Sequence, residues 1–337
     1  MLSFLMTGTI GFAETPTVEE LQRKIQELQS KIEQIEGKIN KDTIKIGNNS
    51  QVNYAGGTGT NPKGGIAIGE NANVHNYIDQ SGGIAIGQNA YAESMIGQQE
   101  KYFAFNKNIE YNHWGFGSVP QNDFDKLIST LVIGENTYAR SGGIMIGPHN
   151  FRGTMGDIDN ISTDTDKEKR KLGLGVLSTT LGTNSFTNGA FATTLGAYSI
   201  ITSQYNGDNY KYVSQNFGAL INGSLNSIES FKSDSAYSGI ANSVVGVANR
   251  TYNSNGSLIF GAGNEITNSI ENVNLSLKKF ESPNDLSKEL RKKVSDNKGG
   301  GATLVIGGGN KADYTKQVSM IGTRNEVKGT EDKKTEL

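Results

Sequence analysis

From Val18 onward the apolar residues recur at alternating steps of three and four: Val18, Leu21, Ile25, Leu28, Ile32, Ile35 and Ile39. Every residue between them is polar, charged or glycine. A stripe this narrow is a coiled-coil heptad, because a helix lying on its own domain shows a wider apolar face. The spacing predicts a helix over 17–40 with Val18, Ile25, Ile32 and Ile39 at a and Leu21, Leu28 and Ile35 at d. Thr17 and Glu20 form the pattern of a capping box, and Gly37 weakens the last turn. Such a helix needs partner helices with a matching seam. Ile at a with Leu at d favours two strands, whereas Ile35 and Ile39 favour a higher order.

After residue 40 the period changes. A short unit recurs: apolar, any residue, apolar, Gly, with Asn close behind. Examples are Ile44-Lys45-Ile46-Gly47, Ile66-Ala67-Ile68-Gly69-Glu70-Asn71, Ile84-Ala85-Ile86-Gly87-Gln88-Asn89, Leu131-Val132-Ile133-Gly134-Glu135-Asn136 and Ile144-Met145-Ile146-Gly147. The C-terminal versions carry Asn one place later, as in Gly246-Val247-Ala248-Asn249 and Gly322-Thr323-Arg324-Asn325. Apolar residues two apart point to one face of a strand, and Gly then permits a turn with φ > 0 that Asn tolerates or hydrogen-bonds. Gly69, Gly87, Gly134 and Gly322 are expected at such turns. No single unit can bury its own face, so the units must stack, which predicts an all-β roll of parallel strands. The closest key glycines, Gly134 to Gly147 and Gly307 to Gly322, set one coil at about 13 to 15 residues, within the range of short solenoid repeats. Larger gaps must hold insertions, expected at 98–128, 148–176, 203–216 and 265–300.

Composition agrees with this reading. Gly makes up 43 of 337 residues, Pro only 5, and hydrophobic residues 35%. A thick conventional core is hard to fill from such a chain, and collagen is excluded because Gly has no three-residue period. With no cysteine, disulfide scaffolds and thiolate metal sites are excluded. Lys and Arg total 32 against 34 Asp and Glu, so charge offers no footing for nucleic acid.

The segments GGIAIGENANV and GGIAIGQNAYA resemble the head repeats of trimeric autotransporter adhesins, the YadA-like family of bacterial surface proteins. The resemblance covers most of residues 44–327. It implies a left-handed parallel β-roll (a solenoid) in a homotrimer, export to the bacterial cell surface through the outer membrane, and attachment to a host-cell glycoprotein or to extracellular, collagen-type matrix. Within the family the chain resembles fusobacterial-type adhesins that bind CEACAM receptors, although no motif here carries that partner. Residues 1–13, MLSFLMTGTIGFA, have the length and small-residue ending of a signal-peptide remnant but no positive charge. Residues 328–337 read as a tail leading toward a neck and membrane anchor that this sequence does not contain.

Candidate chemistry is sparse. His75, His113 and His149 lie in separate segments without metal-ligand spacing. Asp157, Asp159, Asp164 and Asp166 lack a calcium-loop pattern, and the run from Lys167 to Lys171 lies beside them. Gly261-Ala262-Gly263 lacks the third glycine of a dinucleotide fingerprint. No catalytic residue, cofactor or metal is expected, and the chain is read as a non-enzyme. The insertions are richer. Tyr102, Phe103, Tyr111, Trp114 and Phe116 cluster in 98–128, and Tyr205 and Tyr210 lie in 203–216. Aromatics at this density form either a satellite core or a receptor surface. Leu286, Leu290 and Val294, between Asn284-Asp285 and Gly299-Gly300, predict a short amphipathic helix. The leading expectation is an adhesin head. A self-associating surface protein acting in autoagglutination or biofilm is the alternative, and a β-helical enzyme comes third.

Overall fold

The computed structural model describes residues 17–40, 43–54, 64–76, 82–94, 130–140, 142–150, 177–203, 215–231, 238–270, 283–296 and 301–331. The chain divides into two units, Met1–Lys41 and Asp42–Leu337.

The described part of the first unit is a helix, α1 (Val18–Lys38), followed by the two-residue strand Ile39–Asn40. The capping box forms at its start. The Glu20 backbone N–H donates to Thr17 Oγ1 at 3.2 Å, and the Thr17 N–H donates to Glu20 Oε2 at 3.1 Å. The helix stops short of the expected end, so Ile39, read as its last a position, lies in the strand instead. Gly37 carries the highest conformational cost in the final turn, and the β-branched Ile39 suits extended backbone. The heptad residues from Val18 to Ile35 are between 46 and 71% exposed.

The second unit is an all-β stack of parallel strands. Most coils contribute one strand to a long sheet, from Thr43–Ile46 through Ile66–Ile68, Ile84–Ile86 and onward to Ser319–Thr323. After a tight turn, they contribute a second strand to one of two further sheets. A four-stranded sheet runs from Gln51–Tyr54 to Tyr138–Arg140, and a seven-stranded sheet runs from Phe186–Thr187 to Glu326–Lys328. Leu131 pairs with Ile144, Thr179 with Thr193, and Ser243 with Leu258. These offsets of 13, 14 and 15 residues are the uninterrupted coil.

The core is only one side chain deep from each strand. In the triplet Ile66-Ala67-Ile68 the middle residue is buried and the two isoleucines are not. Ala67, Ala85, Val132, Met145, Thr180, Thr194, Ile221, Val244, Ile259, Val305 and Met320 form the inward column of the long sheet. They meet Val74, Ala92 and Ala139 of the four-stranded sheet, or Ile201, Ile228 and Ile266 of the seven-stranded one. The apolar pairs most visible in the sequence therefore face away from the interior.

The turn after each long-sheet strand explains the Gly and Asn signals. The four named glycines have φ of +131° at Gly69 and Gly87, +150° at Gly134 and +119° at Gly322. A Cβ on Gly69 would also strike the carbonyl oxygen of Gly87 in the next coil. In the early coils Asn49, Asn71, Asn89 and Asn136 take the left-handed conformation, with φ near 50°. Their side-chain amides chain together, Asn71 Nδ2 donating to Asn89 Oδ1 at 3.1 Å and Asn89 Nδ2 to Asn136 Oδ1 at 2.8 Å. In the late coils the left-handed residue is Ala248, Gly263, Gly309 or Arg324. The asparagine that follows turns inward, so the one-place shift in the sequence marks a change of role. Asn264 Nδ2 donates to the Gly307 carbonyl at 2.8 Å, and Asn264 Oδ1 accepts from the Asn310 backbone N–H at 3.1 Å. The same pair of bonds links Asn249 to the coil of Gly261 and Asn264, and Asn310 to the coil of Gly322 and Asn325. Thr137, Ser185 and Ser199 fill this place in the middle coils and donate to the carbonyls of Gly147, Gly196 and Gly223.

Candidate self-association face and binding edge

Two surfaces of the stack differ sharply in chemistry. The outward positions of the long sheet form parallel columns. One runs Ile44, Ile66, Ile84, Leu131 and Ile144, passes through Thr179, Thr193, Leu220 and Ser243 to Leu258 and Leu304, and ends at Ser319; the other runs Ile46, Ile68, Ile86, Ile133 and Ile146 and continues through Leu181, Leu195, Asn222 and Val245 to Phe260, Ile306 and Ile321. No outward position of these described strands from Thr43 to Thr323 carries a charge. Ile46, Leu181, Val247, Phe260 and Ile321 are exposed, Ile321 to 73%. One column is apolar at every strand from Thr43–Ile46 to Ser319–Thr323 but one, and an exposed apolar strip of this length is a candidate interaction surface.

The outer face of the seven-stranded sheet is the opposite case. Arg250, Glu265, Lys311 and Glu326 occupy one column in register, and Glu229, Asp313 and Lys328 occupy the next outward column. Arg250 grips Glu229 with two bonds, Nε to Oε1 at 2.9 Å and Nη2 to Oε2 at 3.1 Å, and reaches Glu265 Oε1 from Nη1 at 3.0 Å. Its guanidinium lies 4.8 Å from the centroid of the Tyr252 ring. The hydrogen bonds to Glu229 lead the causes that raise its pKa, opposed by partial burial. This is a charged face, with Arg250, Glu229 and Glu265 paired within it.

Three of the four insertions share one edge; the fourth, expected at 148–176, lies between the long-sheet strands Ile144–Ile146 and Thr179–Leu181, and its residues 151–176 are outside the described ones. Between a long-sheet strand and the second strand of its coil the link is short and regular, as from Ile68 to Asn73, Ile86 to Tyr91 and Leu195 to Ile200. Between the second strand and the next long-sheet strand the link varies from the three residues after Arg140 to the 36 after Ser94. The stems of 98–128 (Ser94 and Thr130), of 203–216 (Ser203 and Gln215) and of the segment after Ile270 all fall at this second corner. The segment expected at 265–300 starts later than its sequence suggested. Glu265–Thr267 is a strand of the seven-stranded sheet with Ile266 buried, and only the residues beyond it leave the stack. A second helix, α2 (Pro283–Asp296), lies within this insertion; Leu290 on it is half-buried.

The expected receptor residues Tyr102, Phe103, Tyr111, Trp114, Phe116, Tyr205 and Tyr210 lie outside the described residues, as do the acidic and basic runs at 157–171 and the segment 1–13. His113 also lies outside them, while His75 occupies an outward column of the four-stranded sheet and His149 takes the left-handed turn position. Among the described residues no three His, Cys, Asp or Glu side chains come together as a metal site, and no helix is long and apolar enough to cross a membrane. The strip of outward isoleucines was legible as a pattern, but not as a surface. The sequence signal for it is the middle residue of each triplet: Ala67 and Ala85 are too small to be the outward member of a covered pair, and fit a narrow interior. No protein-family model, curated protein or solved structure matches the chain.

Proposed function

We propose that the chain is a homotrimeric adhesive head on a bacterial surface. In this reading the long sheets of three copies face one another, and the inserted segments are turned outward toward a host glycoprotein. The observation that carries it is the division of the stack into a charge-free, largely apolar face and a charged face, with the stems of three long insertions at one corner of the coil. An apolar strip of this length needs a cover of the same length, and further copies of the chain supply one. The heptad on α1 points the same way, since its residues from Val18 to Ile35 remain exposed in the single chain. Inserted loops on a rigid scaffold are where recognition is usually placed.

The decisive experiment measures mass and adhesion together. Light scattering of the purified chain at micromolar concentration should give three copies, and the same sample should bind host-cell surface protein. A folded monomer overturns the assembly. A trimer that binds only itself turns the reading toward autoagglutination.

A further inference from the structure

The outward column that runs from Ile46 to Ile321 is Ile, Leu, Val or Phe at every strand but one. The exception is Asn222, which is exposed and stands between Leu195 and Val245 in register. Among the described residues its side chain has no hydrogen-bond partner. It is not a turn residue: the glycine of its coil, Gly223, follows it, and the inward asparagine of that coil is Asn226. Neither its own strand nor its neighbours use the amide.

The rest of the face poses a problem of alignment. Along this column bulky apolar residues follow one another coil after coil, and the neighbouring outward column interrupts its apolar run only with the uncharged Thr179, Thr193, Ser243 and Ser319, so two such faces could pack with little penalty when slid by one coil, about 4.8 Å. Uniform apolar seams specify register weakly, and a single polar residue within one is the known physical remedy. Resting on the trimeric reading above, we infer that Asn222 sets the axial register of the assembly by meeting Asn222 of the other two copies. A carboxamide is self-complementary. Around a three-fold axis each N–H can donate to the carbonyl oxygen of the next copy, closing a ring of three bonds. A slip of one coil would place the amide against Leu195 or Val245 of a neighbour, leaving a buried polar group unsatisfied.

The test uses the full chain and three variants, with light scattering and melting curves at pH 4 and pH 8. Asn222→Asp places three carboxyl groups together. Mutual repulsion raises their pKa in the assembly, so the assembly is retained at low pH and lost as pH rises through that value. The expected result is a trimer at pH 4 and dissociation at pH 8. Gln51→Glu, a charge added to the outer face of the four-stranded sheet, should leave the mass unchanged at both pH values. Asn222→Leu keeps the test open if the aspartate variant does not fold. It removes the cost of burying the amide and should raise the melting temperature by several degrees while letting copies pair one coil out of step, which cannot close around a three-fold axis and so appear as species of other than three copies. A wild-type monomer overturns the trimeric reading itself. A wild-type trimer whose aspartate variant is equally trimeric at both pH values overturns the role of Asn222, as does a leucine variant that melts at or below the wild type as a single species.

Discussion

At the scale of single residues, two positions in the turn show why the repeat tolerates so little. Gly87 combines φ of +131° with a neighbour in the next coil: a Cβ there would strike the Gly134 carbonyl. At Gly322, the last coil, φ is +119° but the nearest atom to an added Cβ is Asn325 Nδ2 at 3.3 Å. Gly87→Ala should therefore cost several kcal/mol per chain, well above the about 1 kcal/mol of backbone strain expected of Gly322→Ala. Denaturant titration of both variants checks the difference, and equal losses would show that stacking is not what restricts the site. Asn264 is the second position. Its removal orphans the Gly307 carbonyl and the Asn310 N–H inside the turn. Asn264→Ala should cost about 2–4 kcal/mol, since each unsatisfied buried group costs about 1–3 kcal/mol. Exchange of the Asn310 amide hydrogen should quicken in parallel.

At the scale of elements, the sequence spoke clearly about which residues repeat and less clearly about where they point. The period-two triplets located the long-sheet strands because Ile-Ala-Ile and Gly are local signals. Which face was covered depends on the second strand of each coil, and strands such as Asn73–Asn76 or Lys311–Asp313 carry almost no apolar pattern. Ala312, the single inward residue of that last strand, would attract no notice in a sequence. The heptad of α1 was fully legible up to its end, where Gly37 and Ile39 favoured extended backbone over another helical turn. The ion ladder at Arg250 was invisible beforehand because Glu229, Arg250 and Glu265 are far apart in the chain and meet only through parallel register. Its energetic share is small. Arg250 is 42% exposed on its side chain, so solvent screens the pair. Arg250→Met should cost about 1 kcal/mol or less per chain, and the difference from wild type should fade in high salt. Because the guanidinium pKa is raised, its contribution is present through neutral pH and is lost only as pH climbs through that raised value. Melting curves at low and high salt near neutral pH check this.

At the scale of the whole molecule, the stack separates the work of folding from the work of recognition. Stability comes from inward columns and turn ladders that repeat with little variation, while most of the variation in length falls at one corner of the coil. A corner that accepts three residues after Arg140 and 36 after Ser94 places little demand on what it carries. The aromatic segment 98–128 can therefore be removed without touching the ladders. Replacing residues 94–129 with Ser-Gly copies the Ser-Gly sequence that follows Arg140, and keeps Thr130, whose carbonyl accepts from the Ile84 N–H at 2.9 Å. Shortening a loop lowers the closure cost by about 0.6 kcal/mol per halving, roughly 2 kcal/mol here, so this variant should melt at or somewhat above the wild type and keep its stoichiometry. If Tyr102, Phe103, Tyr111 and Trp114 hold the receptor, binding to host cells should fall by more than tenfold, as expected when a cluster of aromatic anchors is lost. Trp114→Ala in the intact chain separates contact from scaffold: lower affinity at an unchanged melting temperature marks an anchor, and a joint fall marks a satellite core. Undiminished binding by the shortened variant would move recognition along the same edge to residues 203–216, where Tyr205 and Tyr210 are the next to be replaced.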